Sequence, residues 1–264
     1  MKIRHALVPL LSTLLIAACS QQTEPVAAPA ATPEAPAQAT PAASADATTT
    51  PASAAPAAPA PAEAAAPNDN PVVAPQGPTP VAGTDYVEIE GGQPFANTPG
   101  KIEVAEVFAY WCGHCAAFEP LVGAWKARQP ADVSFVPVPA VFNAQDEFPR
   151  AFYASEAMGT LERTHTATFN AIHLQKSLRP NADAASIAAF YGTLGIDQAR
   201  FTSTMQSFAV NANLGRARQF AMRSGVDATP TIIVDGKYRV IGGKSLEDIL
   251  RITDHLVAME RAAQ

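Results

Sequence analysis

From residue 83 onward the apolar positions fall into strand-like and helix-like spacings in turn. Tyr86–Glu90 alternates weakly and predicts a first strand. Lys101–Trp111 gathers Ile102, Val104, Val107, Phe108, Tyr110 and Trp111 into an apolar-rich run, the pattern of a central buried strand. Ala116–Arg128 then places Phe118, Leu121, Val122 and Trp125 at helical spacing, with Pro120 expected to kink or restart the helix. Val133–Val138 reads as another strand. Between about 146 and 224, several helical patterns separated by Gly159, Pro180, Gly192 and Gly195 predict four or five short helices. Thr231–Val234 and Lys237–Ile241 flank Asp235–Gly236, a strong hairpin-turn signal. Ser245 with Asp248 opens a last amphipathic helix in the manner of a capping box, carrying Leu246, Ile249, Leu250, Leu256 and Met259. The order is strand, strand, helix, strand, helical block, hairpin, helix, which is an α/β fold with an inserted all-helical block.

The N-terminal third has a different pattern. Residues 1–18 carry Lys2 and Arg4, then an apolar run of about a dozen residues, the signature of an export signal and too short for a membrane span. Residues 19–82 are dominated by Ala, Pro and Thr and hold most of the 24 prolines. No aromatic residue precedes Tyr86, and no Lys or Arg lies between Arg4 and Lys101. A segment of this composition cannot offset the entropy of ordering, so a disordered Ala/Pro-rich tether is expected. The folded domain is expected at 83–264, with the helical insertion at about 145–225. The formal net charge of −6 and the lack of a basic run argue against nucleic acid as a partner.

Ile16-Ala17-Ala18-Cys19 resembles a bacterial lipobox, in which the cysteine is acylated and becomes the mature N-terminus. That resemblance implies a membrane anchor through lipid on Cys19. Ser20 in the following position favours the outer membrane. Plain signal-peptide cleavage, with Cys19 incidental, is the alternative. The chain has 3 cysteines, so using Cys19 as an anchor leaves one pair, Cys112 and Cys115. An exported chain also sits where disulfides persist.

Cys112-Gly113-His114-Cys115 stands at a strand-to-helix junction. Two cysteines at this spacing can close a local disulfide. Unpaired N–H groups and the positive end of the helix favour a thiolate at Cys112, the expected exposed attacking sulfur. Cys115, one turn inside, is expected to be shielded. An imidazolium at His114 would further favour the Cys112 thiolate. A structural zinc site would need two more ligands. The candidates His165 and His173 are eight residues apart, a poor spacing for a paired site, so no metal is expected. No cofactor is expected either.

Val107–Glu119, with its Cys-Gly-His-Cys core, resembles the active-site segment of the thioredoxin superfamily. Ser224–Tyr238 resembles the superfamily's cis-proline segment. The helical block between the two motifs is similar to that of DsbA-like thiol:disulfide oxidoreductases. The resemblance implies a thioredoxin-like fold and a cis bond at Thr229–Pro230. It also implies that the Thr229 backbone receives an extended substrate peptide. Glu106 matches a buried acid of the DsbA family, with a solvent-facing strand residue as its alternative. Glu119 matches a second acid, with a helix-surface charge as its alternative. The expected activity is oxidation of newly exported, cysteine-containing polypeptides by a monomer of the periplasm, with reoxidation by a DsbB-like membrane partner. An isomerase or reductase of the same fold, and a non-catalytic peptide-binding lipoprotein, are the alternatives.

Overall fold

The computed structural model describes residues 68–264. The export signal, Cys19 and the tether up to residue 67 lie outside the described residues. The elements are β1 (Tyr86–Glu88), β2 (Ile102–Phe108), α1 (Gly113–Ala127), β3 (Val133–Pro139), α2 (Phe148–Ala157), α3 (Leu161–Phe169), α4 (Ala184–Thr193), α5 (Gln198–Met205), α6 (Phe208–Arg223), β4 (Thr231–Val234), β5 (Tyr238–Val240) and α7 (Leu246–Ala263). One π-helical turn, Asn170–Leu174, extends α3. The expected thioredoxin-like α/β fold with a helical insertion is present, the insertion being α2–α6.

The sheet order is β1-β5-β4-β2-β3. β2 runs parallel to β3, with Ile102 opposite Val133 and Phe108 opposite Pro139, and antiparallel to β4. All seven residues of β2 are buried, which explains its near-continuous apolar run. Alternation puts Ile102 and Val104 on one face, against Phe118, Val122 and Trp125 of α1 and Leu250, Leu256 and Val257 of α7. Ala105 and Val107 face the other way, into the core shared with Phe148 and Phe152 of α2 and Phe220 of α6. Glu106 therefore points toward the α1 side. At the hairpin, Asp235 (φ 51°) and Gly236 (φ 67°) both take left-handed backbone, as a type I′ turn requires, and Lys237 N–H donates to Val234 C=O at 2.9 Å.

Several expectations need correction. α1 starts at Gly113, so Cys112 precedes the helix and Cys115 lies inside it as expected, but the helix runs unbroken through Pro120, where a kink or restart was expected. Gly192 lies inside α4, where a Cβ would collide with the Gln198 side chain; the helix ends instead before Gly195, whose φ is +79°. Met259 is exposed, and Ile252 and Val257 join Leu250 and Leu256 on the buried face of α7. The Ser245 side chain caps α7 as expected, but Asp248 returns to the N–H of Lys244, one residue before the cap.

Residues 68–82, assigned from sequence to the end of the tether, are held against the domain. The Asn68 amide donates to Gln129 C=O at 2.6 Å, and the Asn70 amide to Ala127 C=O at 2.8 Å. These carbonyls belong to the last turn of α1 and the residues after it, where intrahelical partners run out. Arg251 of α7 also bonds the Pro78 carbonyl. Composition alone concealed these contacts, because two asparagines suffice to make them.

Candidate functional site

Cys112 is the N-cap of α1. Its backbone is extended (φ −78°, ψ 118°), and its Sγ accepts the Cys115 N–H at 3.4 Å. No acidic residue occupies the first turn, so nothing nearby on the helix opposes its positive end. On the other side the Cys112 thiol donates to Thr229 C=O at 3.2 Å. The Thr229–Pro230 bond is cis. Both cysteines are free thiols, so this is the dithiol form.

The two sulfurs are opposite in character. The Cys112 pKa falls from the ordinary thiol value of 9.0 to about 5. The largest cause is the hydrogen bond from the Cys115 side chain. It outweighs burial, which pushes the other way, and is joined by the Thr229 side chain and by the backbone N–H groups of Cys115 and His114. Cys115 is buried, and its pKa is pushed far above the ordinary thiol range. The cause is first the same hydrogen bond, then desolvation, with the charges of Cys112 and Glu106 adding to it.

Glu106 lies in the middle of β2, opposite Pro137 on β3 and Ile232 on β4. It is buried, and desolvation lifts its carboxyl from 4.5 to about 8. The neighbouring charges of Glu119 and Cys112 push the same way, and Lys126 opposes them. The solvent-facing alternative for Glu106 is thereby excluded.

Glu119, one turn along α1, is more than a surface charge. Its carboxylate accepts the Thr166 hydroxyl at 2.9 Å and lies 3.4 Å from His165 Nε2. Burial would raise its pKa, but His165, Thr166 and Lys126 together hold it below the ordinary carboxylate value. His165 Nδ1 meets the Tyr110 hydroxyl at 2.8 Å, and His173 Nε2 meets the Tyr110 carbonyl at 2.7 Å. The His165 ring thus bridges Glu119 through Nε2 and the Tyr110 hydroxyl through Nδ1. These histidines, weighed from sequence only as zinc ligands, instead clamp the peptide that leads into Cys112. Eight residues apart on a regular helix would set them about 80° off one face. The π turn at 170–174 absorbs roughly one residue and brings both onto Tyr110.

Comparison with known proteins follows the same two motifs. The thioredoxin family model matches residues 96–255, which include both cysteines and Pro230. The thiol:disulfide interchange protein DsbA of Pseudomonas aeruginosa is 40% identical over 185 residues, covering 69% of this chain and 86% of the relative. The chain belongs to the DsbA family. Its DsbA-family relatives include the protein of the same description from Bordetella parapertussis, 37% identical over 182 residues, covering 67% of this chain and 84% of the relative. Among solved structures, the oxidoreductase DsbA of Xylella fastidiosa superposes with a TM-score of 0.67 at 46% identity, covering 69% of this chain and 98% of that one. P. aeruginosa DsbA gives 0.63 at 39%, covering 69% and 95%.

In this DsbA-family chain the fold brings Cys112, Cys115, Glu106, Thr229 and Pro230 to one place. The side chain of His114 is exposed, and His114 acts on Cys112 through its backbone N–H. Sequence reasoning missed Tyr110, Thr166 and the Trp111–Asp146 pair. Each contacts a residue more than thirty positions away, and no local spacing signals that. Among the described residues, no helix is long and apolar enough to cross a membrane.

Proposed function

We propose that this chain is an envelope thiol:disulfide interchange protein that oxidises cysteines of exported polypeptides at Cys112-Gly113-His114-Cys115. The observation that carries this reading is the unequal sulfur pair: one low-pKa thiol at a helix cap beside the Thr229 carbonyl, and one shielded thiol beneath it. In the oxidised protein a substrate thiolate attacks Cys112 Sγ. The intramolecular S–S bond breaks, and Cys115 leaves and takes a proton, with Glu106 as the nearby acid. A second substrate thiolate then attacks the substrate sulfur of the mixed disulfide and expels Cys112 as a thiolate. Two electrons pass from substrate to protein; one proton ends on Cys115 and the other is released to solvent, with Cys112 left as the thiolate, and a DsbB-like membrane partner removes the electrons.

The stabilised Cys112 thiolate favours the dithiol form and so makes the disulfide an oxidant. With the pKa at about 5 instead of 9.0, the thiolate gains at most about 3 kcal/mol at pH 7, less what solvent screening removes. In this reading the Thr229 backbone receives the extended substrate beside the cis-Pro230 loop, His114 assists Cys112, and Cys19 carries the lipid that anchors a periplasmic monomer to a membrane, the outer one favoured. The test is equilibration of the protein with a glutathione buffer together with oxidation of a reduced, unfolded protein. A potential well above thioredoxin's, with activity lost in Cys112→Ser, supports an oxidase. A potential near thioredoxin's makes it a reductase, and a fully active Cys112→Ser variant overturns the exchange reading.

A further inference from the structure

Beside the dithiol lies a cleft of about 490 Å³ whose walls include Trp111 and Phe142 and whose rim carries the amides of Asn143, Gln145 and Asn181. Trp111 is the residue before Cys112, so its Cα is about 3.8 Å from that of the attacking residue. The two aromatic side chains are unusually open for their type, at 41% and 47% exposure. The Trp111 ring is fixed in place: its Nε1–H donates to Asp146 Oδ2 at 2.8 Å, while Asp146 Oδ1 accepts the Phe148 N–H at 3.0 Å. Asp146 is half-buried and, among the described residues, is the only ionisable group lining the cleft. No Lys or Arg lines it, and the nearby Glu147 is already paired with Arg150. Two exposed aromatic side chains and a carboxylate lining one cleft, with no cation among its described lining residues, are complementary to a positive side chain.

We propose that this cleft is a subsite for a lysine or arginine side chain that flanks the reacting cysteine of a substrate polypeptide. The proposal rests on the exchange reading above and names a substrate preference for it. The cation would lie over Trp111 and Phe142 with its charge toward Asp146, whose carboxylate oxygens each retain an open lone pair beyond the bond already made. Burial of Asp146 raises its pKa, offset by the Phe148 N–H and the Trp111 bond, and no positive neighbour among the described residues contributes.

The experiment uses the full protein, oxidised with glutathione disulfide, in single turnover with a reduced two-cysteine peptide. Three versions carry Lys, Gln or Glu on either side of the first cysteine. The Lys peptide should be oxidised about 5- to 10-fold faster, by second-order rate constant, than the Glu peptide. The ratio should shrink as salt is raised. In Asp146→Asn the ratio should fall toward one. Comparing the three peptides on the unmodified protein keeps the test independent of how well that variant folds. Equal rates for all three peptides, or a ratio unchanged in a folded Asp146→Asn, overturn the subsite and leave the exchange reading standing. Failure of the oxidised protein to oxidise any of the peptides overturns the exchange reading, and the subsite with it.

Discussion

Cys112 and Cys115 are one helical turn apart and yet titrate in opposite directions. Cys112 stands outside the helix barrel, where free N–H groups of the first turn converge on its sulfur. Cys115 lies inside, with Glu106 below it and apolar side chains around it. The hydrogen bond from Cys115 to Cys112 is the largest cause of both shifts; beyond it, the first place supplies further hydrogen bonds to a negative charge and the second withholds solvent from one. The asymmetry that disulfide exchange requires is therefore a property of helix position, with the residue type held constant.

The largest effects should come from removing either sulfur. Cys112→Ser should abolish exchange. Cys115→Ser should keep the attacking thiolate but accumulate a mixed disulfide when given a disulfide-bonded peptide, seen by mass as an adduct that reductant removes. If the serine variant at 115 forms no adduct, the division of roles is wrong.

Next in size is Glu106. Its folded pKa of about 8 exceeds the ordinary 4.5, so the folded state holds a proton that the unfolded chain releases. Stability should fall as pH rises from 4.5 to 8 and then level off. Glu106→Gln should abolish that slope and be more stable than the parent by about 2–4 kcal/mol at pH 8, by urea unfolding. Parallel pH profiles for parent and variant would contradict the burial argument.

Cys112 has the opposite sign. Its lowered pKa stabilises the reduced fold above the ordinary thiol value of 9.0, and this contribution disappears as pH falls from 9.0 through about 5. The thiolate absorbance in the ultraviolet should titrate with a midpoint near 5. A midpoint close to that of a free thiol would remove the basis of the asymmetry.

His165→Ala should cost about 1 kcal/mol, since it breaks the link between Glu119 and Tyr110, and His165→Gln should restore part of it. The smallest effect belongs to His114→Ala. Because His114 reaches the sulfur through its backbone, the Cys112 midpoint should move by only about 0.3 in pH. A larger movement would return the imidazolium to the account.

Local features of the site were legible in the sequence. The strand, the Cys112–Cys115 pair and the helix that follows are contiguous, and the Asp235–Gly236 turn carries its own backbone signal. Glu106 was readable as an acid in an apolar run, although only the fold decides which face it takes. Contacts closed by tertiary structure were hidden. Tyr110 looked like one more apolar position, and the link from His165 to Glu119 spans two elements that only the insertion brings together. The π turn that aligns His165 with His173 has no signature in composition. Pro120 suggested a break, but the helix absorbs the one hydrogen bond that a proline cannot donate.

The strap at 68–82 has a directional consequence. Asn68 is fastened beyond the C-terminal end of α1, whereas Cys112 caps the opposite end of that 15-residue rod, about 22 Å away. A pull applied at Asn68 would therefore bear on the pole of the rod remote from the sulfurs.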